Sequence, residues 1–249
     1  MTSLLLIVLL GLAIGVALGL TGIGAGAVLT PSLVLLGVRP AVAVGTSLLF
    51  SVFTKPAGAL QHFRQGTTDV RAVRWLATGS VPAAVASLVL VRTVVPPGVL
   101  LDGFTQHAIA AALVLVAVVL TLRLTNLLPR RSTAAPRIAL VGVGVIVGVT
   151  VALTSVGSGS LAIAMLGVLT PLTVAQLVGT DMLHAALLAA VTAPFYVASG
   201  NVDVGLALGL AVGSIPGVVL GSRLTVVIPE RFTRGTVVAA VWLVALKSL

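Results

Sequence analysis

Long apolar runs, broken at intervals by glycine, proline and short polar clusters, organise this chain. Ten runs predict helices: Thr2–Leu20, Ala27–Val38, Ala41–Leu60, Ala72–Val91, Gly103–Leu122, Ile138–Leu153, Leu161–Leu169, Val174–Ala198, Val204–Leu220 and Thr236–Leu246. None alternates apolar with polar residues, as the strands of a transmembrane barrel would. Crossing the hydrocarbon of a bilayer takes about 20 helical residues, and most of these runs are near that length. Ala27–Val38 and Leu161–Leu169 fall short. Each is expected either to span or to pair with the run before it as a re-entrant hairpin.

The polar interruptions recur. Thr21–Gly26 reads TGIGAG and Thr154–Gly159 reads TSVGSG. Gly45-Thr46-Ser47 returns as Gly179-Thr180-Asp181, and Gly66-Thr67-Thr68-Asp69 as Gly200-Asn201-Val202-Asp203. Gly79-Ser80-Val81-Pro82 returns as Gly213-Ser214-Ile215-Pro216. Four motifs in one order at a nearly constant offset define an internal repeat. The predicted fold is an all-α polytopic membrane protein of two inverted five-segment repeats, with glycine-broken helices or re-entrant hairpins. Residues 1–123 form the first repeat, 124–137 a basic linker and 138–249 the second repeat.

Composition supports the membrane reading. Of 249 residues, 59% are hydrophobic and 8% charged, against about 25% charged in a soluble domain. The N-terminal run lacks a basic leader and a clear cleavage site, so it reads as the first helix and not as a signal peptide. With no cysteine, disulfides and thiolate metal sites are excluded. The net charge of +9 reads as topology and not as nucleic-acid binding, because the arginines sit between apolar runs. Arg64, Arg71, Arg74, Arg123, Arg130, Arg131, Arg137, Arg223, Arg231 and Arg234 fall on one side of a ten-segment arrangement. Arg39, Arg92 and Lys247 fall on the other. The positive-inside rule then places the basic loops in the cytoplasm and both termini outside the plasma membrane.

Candidate chemistry lies at the interruptions. A helix broken inside a membrane exposes backbone groups, tolerated only where protein or a water-filled cavity covers them. The helix resuming after Gly26 or Gly159 aims N–H groups and a partial positive charge into the break, which suits an anion. Thr21, Thr154 and Ser158 add hydroxyls, and Gly24, Gly26, Gly157 and Gly159 let a ligand approach the backbone. Small residues also serve close helix packing, so both readings stand at this point. Asp181 lies about two turns into its segment, where a carboxylate costs about 3 kcal/mol unless compensated. His184, one helical step away, is of the residue type suited to a proton relay; the two are expected either to relay a proton or to form a hydrogen-bonded structural pair. Lys55 is expected to face a cavity, binding the anion or pairing with Asp181, unless its ammonium reaches an interface. Thr46, Ser47 and Thr180 would line the path. His62, Arg64 and His107, with Trp75, Tyr196 and Trp242, read as interfacial residues.

No phosphate-binding loop, metal-ligand spacing, arginine ladder, potassium-filter sequence or nucleophile–base pair is evident. The chain is therefore expected not to be an enzyme and to need no cofactor or metal. Its expected partners are a small anion and the lipid bilayer, with no nucleic acid; a homodimer is left open.

These residues resemble the TauE/SafE family of sulfite exporters, also called the TSUP family. The likeness rests on GLTGIGAGAVLTPSLVLLGVRPAVAVGTSLL, TKPAGALQH with RQGTTDV, VALTSVGSGS, VGTDMLHA and GNVDVGLALGLAVGSIPGVVLGSRL. It departs at Ala25, where many members carry a third glycine, and at Ser47, where an Asp often follows Gly-Thr. The resemblance implies secondary transport at the plasma membrane, in a family that handles sulfite, sulfonates and other small anions; from the residues, alternating access with proton coupling through Asp181 and His184 is the expected mechanism. An anion channel without proton coupling is the alternative. Substrate, direction and coupling ion are not implied.

Overall fold

The computed structural model describes residues 2–22, 24–96, 98–124 and 135–225. Nine helices occupy them: α1 Thr2–Thr21, α2 Ala25–Leu35, α3 Pro40–Arg64, α4 Val70–Val94, α5 Val99–Leu124, α6 Arg137–Thr154, α7 Ser160–Leu169, α8 Val174–Ala198 and α9 Val204–Leu224. The first nine predicted runs each match one helix, and α8 has the predicted limits. The tenth run, most of the linker and Trp242 lie outside the described residues.

Local chemistry sets the helix limits. Asp69 and Asp203 cap α4 and α9 by accepting hydrogen bonds from the amides of Ala72 and Leu206, at 3.0 and 2.9 Å. A carboxylate there satisfies an otherwise free amide and favours the helix dipole. Thr173 and Gln176 form a capping box at α8. At the ends of α3 and α8, Gly66 and Gly200 take φ of 68° and 69°. The following amides, of Thr67 and Asn201, donate back to His62 and Tyr196 carbonyls at 3.0 Å. That wrap needs a left-handed residue after the helix, which is why glycine stands at both places.

Packing follows from small residues. Gly11, Gly15 and Gly19 of α1 lie against the backbone of α9 at Leu210, Ser214 and Val218, so the two helices run side by side in the same direction. On the other flank, Gly144 and Gly148 of α6 lie against Leu76 and Ser80 of α4, again in one direction. Without side chains between them, the helix backbones approach closely and gain dispersion contacts that lipid cannot supply. Helices α3 and α8 cross the centre antiparallel: Gly45 packs on Asn201, and Gly179 on Thr67.

These contacts fix which ends lie together. The α3–α4 turn, the start of α6 and the start of α8 share one end of the bundle. The α8–α9 turn and the starts of α1 and α3 share the other. The chain therefore enters along α6 and leaves along α7 by the same end, while α1 and α2 enter and leave by the opposite end. Each short helix thus returns the chain to the end from which the preceding helix started, so α1–α2 and α6–α7 are hairpins. Each hairpin turns at its glycine-rich break. The breaks touch: Gly24 lies against the Ser158 carbonyl and Gly26 against that of Ser155.

Six helices, α3, α4, α6, α8, α9 and the Leu101–Val119 part of α5, are long and apolar enough to cross a membrane by length and composition. Large apolar side chains face outward along the bundle, among them Leu5, Leu90 and Val212. The interior, by contrast, holds Lys55, His62, Asp181 and His184. A bundle apolar outside with charges sealed inside is built for lipid, where an outward-facing charge is expensive.

Candidate functional site

The site forms where α7 begins, against α3 and α8. Gly159 caps α7 with φ +93°, a conformation open to glycine at little cost. Its amide donates to Asp181 Oδ1 at 2.8 Å. Lys55 Nζ reaches Asp181 Oδ2 at 3.4 Å. Lys55 and Asp181 are each 0% exposed, so this conformation is closed around them. A lone buried charge costs several kcal/mol, and each of these charges is tolerable because the other neutralises it. Lys55, expected to face a cavity, is instead enclosed by protein, with Asp181 as its partner.

Asp181 has thus taken a backbone amide that the sequence reading offered to an external anion. The other predicted groups are distributed as follows. Gly24 and Gly26 hold the two hairpin tips together, each packed against a backbone carbonyl of the other tip. The Thr21 hydroxyl donates to the Ala17 carbonyl at 2.6 Å. Thr154 donates to the Thr150 carbonyl and accepts from the Val156 amide, bracing the break from within. Gly157 carries φ +114° in that turn, and Ser158 is buried against Gly24. These residues shape the tips, and Gly159 presents the amide.

Thr46 and Thr180 act in exchanged positions. Thr46 accepts from the Asp203 amide at 2.9 Å, and Thr180 from the Asp69 amide at 3.0 Å. Each threonine secures the turn after the other central helix. Ser47, which stands where the second half has Asp181, accepts from the Thr30 hydroxyl at 2.8 Å. The first half thus holds a neutral hydroxyl pair where the second holds a carboxylate.

His184 lies near Asp181 on α8, yet its hydrogen bond goes elsewhere. Its Nε2 meets Ser80 Oγ at 2.8 Å, while Nδ1 is buried without a partner. Of the two alternatives for Asp181 and His184, the hydrogen-bonded pair is not formed among the described residues, because Ser80 of α4 takes the imidazole. His62, in the last turn of α3, is covered by the bundle and 0% exposed. Its Nδ1 meets Thr67 Oγ1 at 2.9 Å, and its ring also bonds the Gly19 backbone at the end of α1. Tyr196 donates to the Ala152 carbonyl at 2.8 Å. Trp75 lies under the Arg137 guanidinium at 5.1 Å, and His107 is exposed.

Sequence reasoning missed Ser80, Thr30 and Thr54. Thr54 shares a 2.7 Å hydrogen bond with Ser214. A signal existed for Ser80 and Ser214, because both stand in the repeated Gly-Ser-x-Pro motif. Their partners come from other helices and carry no mark in the sequence. Among the described residues, no group of three or more histidines and carboxylates could hold a metal ion.

An apolar-faced helical bundle with two glycine-tipped hairpins and a buried, compensated charge pair defines a polytopic membrane protein. The family described as "Sulfite exporter TauE/SafE" matches residues 7–248, and the chain belongs to that family. It is similar to the probable membrane transporter protein YjnA of Bacillus subtilis (strain 168), 40% identical over 227 residues, covering 88% of this chain and 89% of the relative. The probable membrane transporter protein YdhB of the same organism is 27% identical over 227 residues, covering 91% and 92%. A third relative there, probable membrane transporter protein YunE, is 36% identical over 90 residues, one third of each chain. No solved structure matches.

Proposed function

We propose that this chain is a secondary transporter that moves a small oxyanion, sulfite or an organosulfonate, across the plasma membrane with proton coupling. One observation carries the reading: a helix-terminal amide and a buried ammonium converge on a single carboxylate where two re-entrant hairpins meet. Amide, ammonium and helix dipole are the donors an oxyanion needs once water is stripped away. The family description, with its sulfite exporters, points to the same ligand chemistry.

The two halves are read as inverted repeats. Support comes from the exchanged Thr46–Asp203 and Thr180–Asp69 bonds and from hairpins entering at opposite ends. Rocking one half against the other would open the closed pair first to one side and then to the other. The end carrying Arg64, Arg71, Arg74 and Arg137 is placed in the cytoplasm by the positive-inside rule, with the start of α1 outside. Asp181 carries the proton, and His184 assists its passage.

The test is sulfite flux in proteoliposomes under an imposed pH gradient. Uphill flux that Asp181→Asn abolishes supports the reading. Gradient-independent flux of channel size, unaffected by Asp181→Asn, refutes it in favour of an anion channel.

A further inference from the structure

We infer that Asp181 and the transported anion occupy the same donors in alternation, which makes the substrate a monoanion carried together with one proton. The inference rests on the oxyanion-transport reading above and specifies its charge state and stoichiometry.

The carboxylate of Asp181 is held as a bound ligand would be. One oxygen takes the Gly159 amide at the start of α7 and the other takes Lys55 Nζ. Two oxygens on one centre, presented to an amide and an ammonium, are also what a sulfonate or hydrogen sulfite offers. An incoming anion competes with Asp181 for both donors. When Asp181 binds a proton, its charge vanishes and Lys55 is left without compensation in a dry interior. That state recruits an external anion, because a buried ammonium needs a counter-charge.

The surroundings have unused capacity for such a ligand. Ser160 Oγ, next to Gly159, is buried without a partner. So is His184 Nδ1, one turn from Asp181. Native interiors leave few buried polar atoms unpaired, and two beside one charge pair point to an occupant.

The charge count selects the ligand. Among the described residues, the buried charged or titratable side chains are Lys55 and His62 on α3 and Asp181 and His184 on α8. Tyr196, toward the far end of α8, is bonded to the Ala152 carbonyl. Helices α2, α4, α6, α7 and α9 bring only hydroxyls inside, such as Thr30, Ser80, Thr154, Ser160 and Ser214. Asp69 and Asp203 stand at the ends, with their carboxylates on the Ala72 and Leu206 amides. With both imidazoles neutral, the empty site holds Lys55 positive and Asp181 negative, summing to zero. The loaded site holds Lys55 positive, Asp181 neutral and one monoanion, again zero. A dianion would leave an uncompensated negative charge in the membrane interior. The first half has Ser47 in place of a second carboxylate, so one such exchange occurs per cycle. The proton enters and leaves with the anion, and transport is electroneutral symport.

The experiment uses anions whose charge does not change over the pH range. Binding of methanesulfonate and isethionate (one charge) and of sulfate and thiosulfate (two charges) is measured by calorimetry on the full chain in detergent at pH 5 to 8. Monoanion affinity is expected to fall about tenfold per pH unit once Asp181 ionises, one proton per anion. Dianions are expected to bind at least roughly a hundredfold more weakly. Asp181→Asn leaves Lys55 awaiting an anion, so it should bind monoanions at pH 8 as wild type does at pH 5, with no pH slope. Dianion binding as tight as monoanion binding overturns the inference, and so does failure of all four anions to bind. A pH slope that persists in Asp181→Asn but disappears in His184→Asn also overturns it, by assigning the proton to the imidazole. Should Asp181→Asn not fold, wild-type charge selectivity and pH slope decide the matter. Sulfite flux without monoanion preference would sink this inference alone, whereas absence of any sulfite flux would sink the transport reading beneath it.

Discussion

Replacing Lys55 by methionine keeps most of the side-chain volume and removes its charge. Asp181 would then be a buried carboxylate with only the Gly159 amide to hold it. At 3.4 Å and an effective dielectric of 20, the lost attraction is about 5 kcal/mol. Breaking a buried pair by removing one partner costs about 3–5 kcal/mol in practice. For a chain of this size that is a fall on the order of 10 °C in unfolding temperature. The decisive comparison is the double variant Lys55→Met/Asp181→Asn, which has neither charge. Buried pairs replaced by neutral groups often cost nothing, so the double variant is expected to recover most of the loss. The assay is unfolding of the purified chain in rising mole fractions of SDS, read by circular dichroism. If the double variant is as unstable as the two single losses added together, the two charges do not compensate each other and the site as described is wrong.

Three further outcomes follow from named contacts. Gly24 has φ −59°, which alanine adopts freely, yet an added Cβ would strike the Ser158 carbonyl. Gly24→Ala should therefore cost about 1–3 kcal/mol by overpacking and slow flux, while Gly142→Ala, with nothing within 4 Å, should be neutral or slightly stabilising in the same SDS titration. Thr46→Val and Thr180→Val each strand a turn amide, at about 1–3 kcal/mol apiece; a clear loss in one and none in the other would argue against equivalent halves. Arg39 pairs with Asp102 at 2.8 Å, but its side chain is 55% exposed, so Arg39→Ala should change stability by no more than about 1 kcal/mol, measured by thermal unfolding in detergent.

Much of the helical frame could be read from the chain. Apolar runs set nine helices because a lipid-facing segment has no other way to satisfy its backbone. The Gly66 and Gly200 turns and the Asp69 and Asp203 caps are local devices, visible in four or five consecutive residues. Lys55 and Asp181 could be nominated singly, since a charge inside an apolar run demands an explanation. Their pairing could be offered only as one option, and the Ser80–His184 bond could not be seen at all. Each joins residues on different helices, and apolar periodicity says nothing about which helices become neighbours.

The sequence by itself determined the membrane class and the repeated motifs, and it singled out Lys55 and Asp181 as charges inside apolar runs. Each of these depends on hydropathy or on backbone chemistry within a few residues. Only the tertiary structure decided that the two short helices turn back, that Gly24 and Gly26 bring the hairpin tips together, and that Asp181 holds the α7 amide. Those outcomes depend on which backbone reaches a glycine or an amide first, and packing across the whole bundle sets that order.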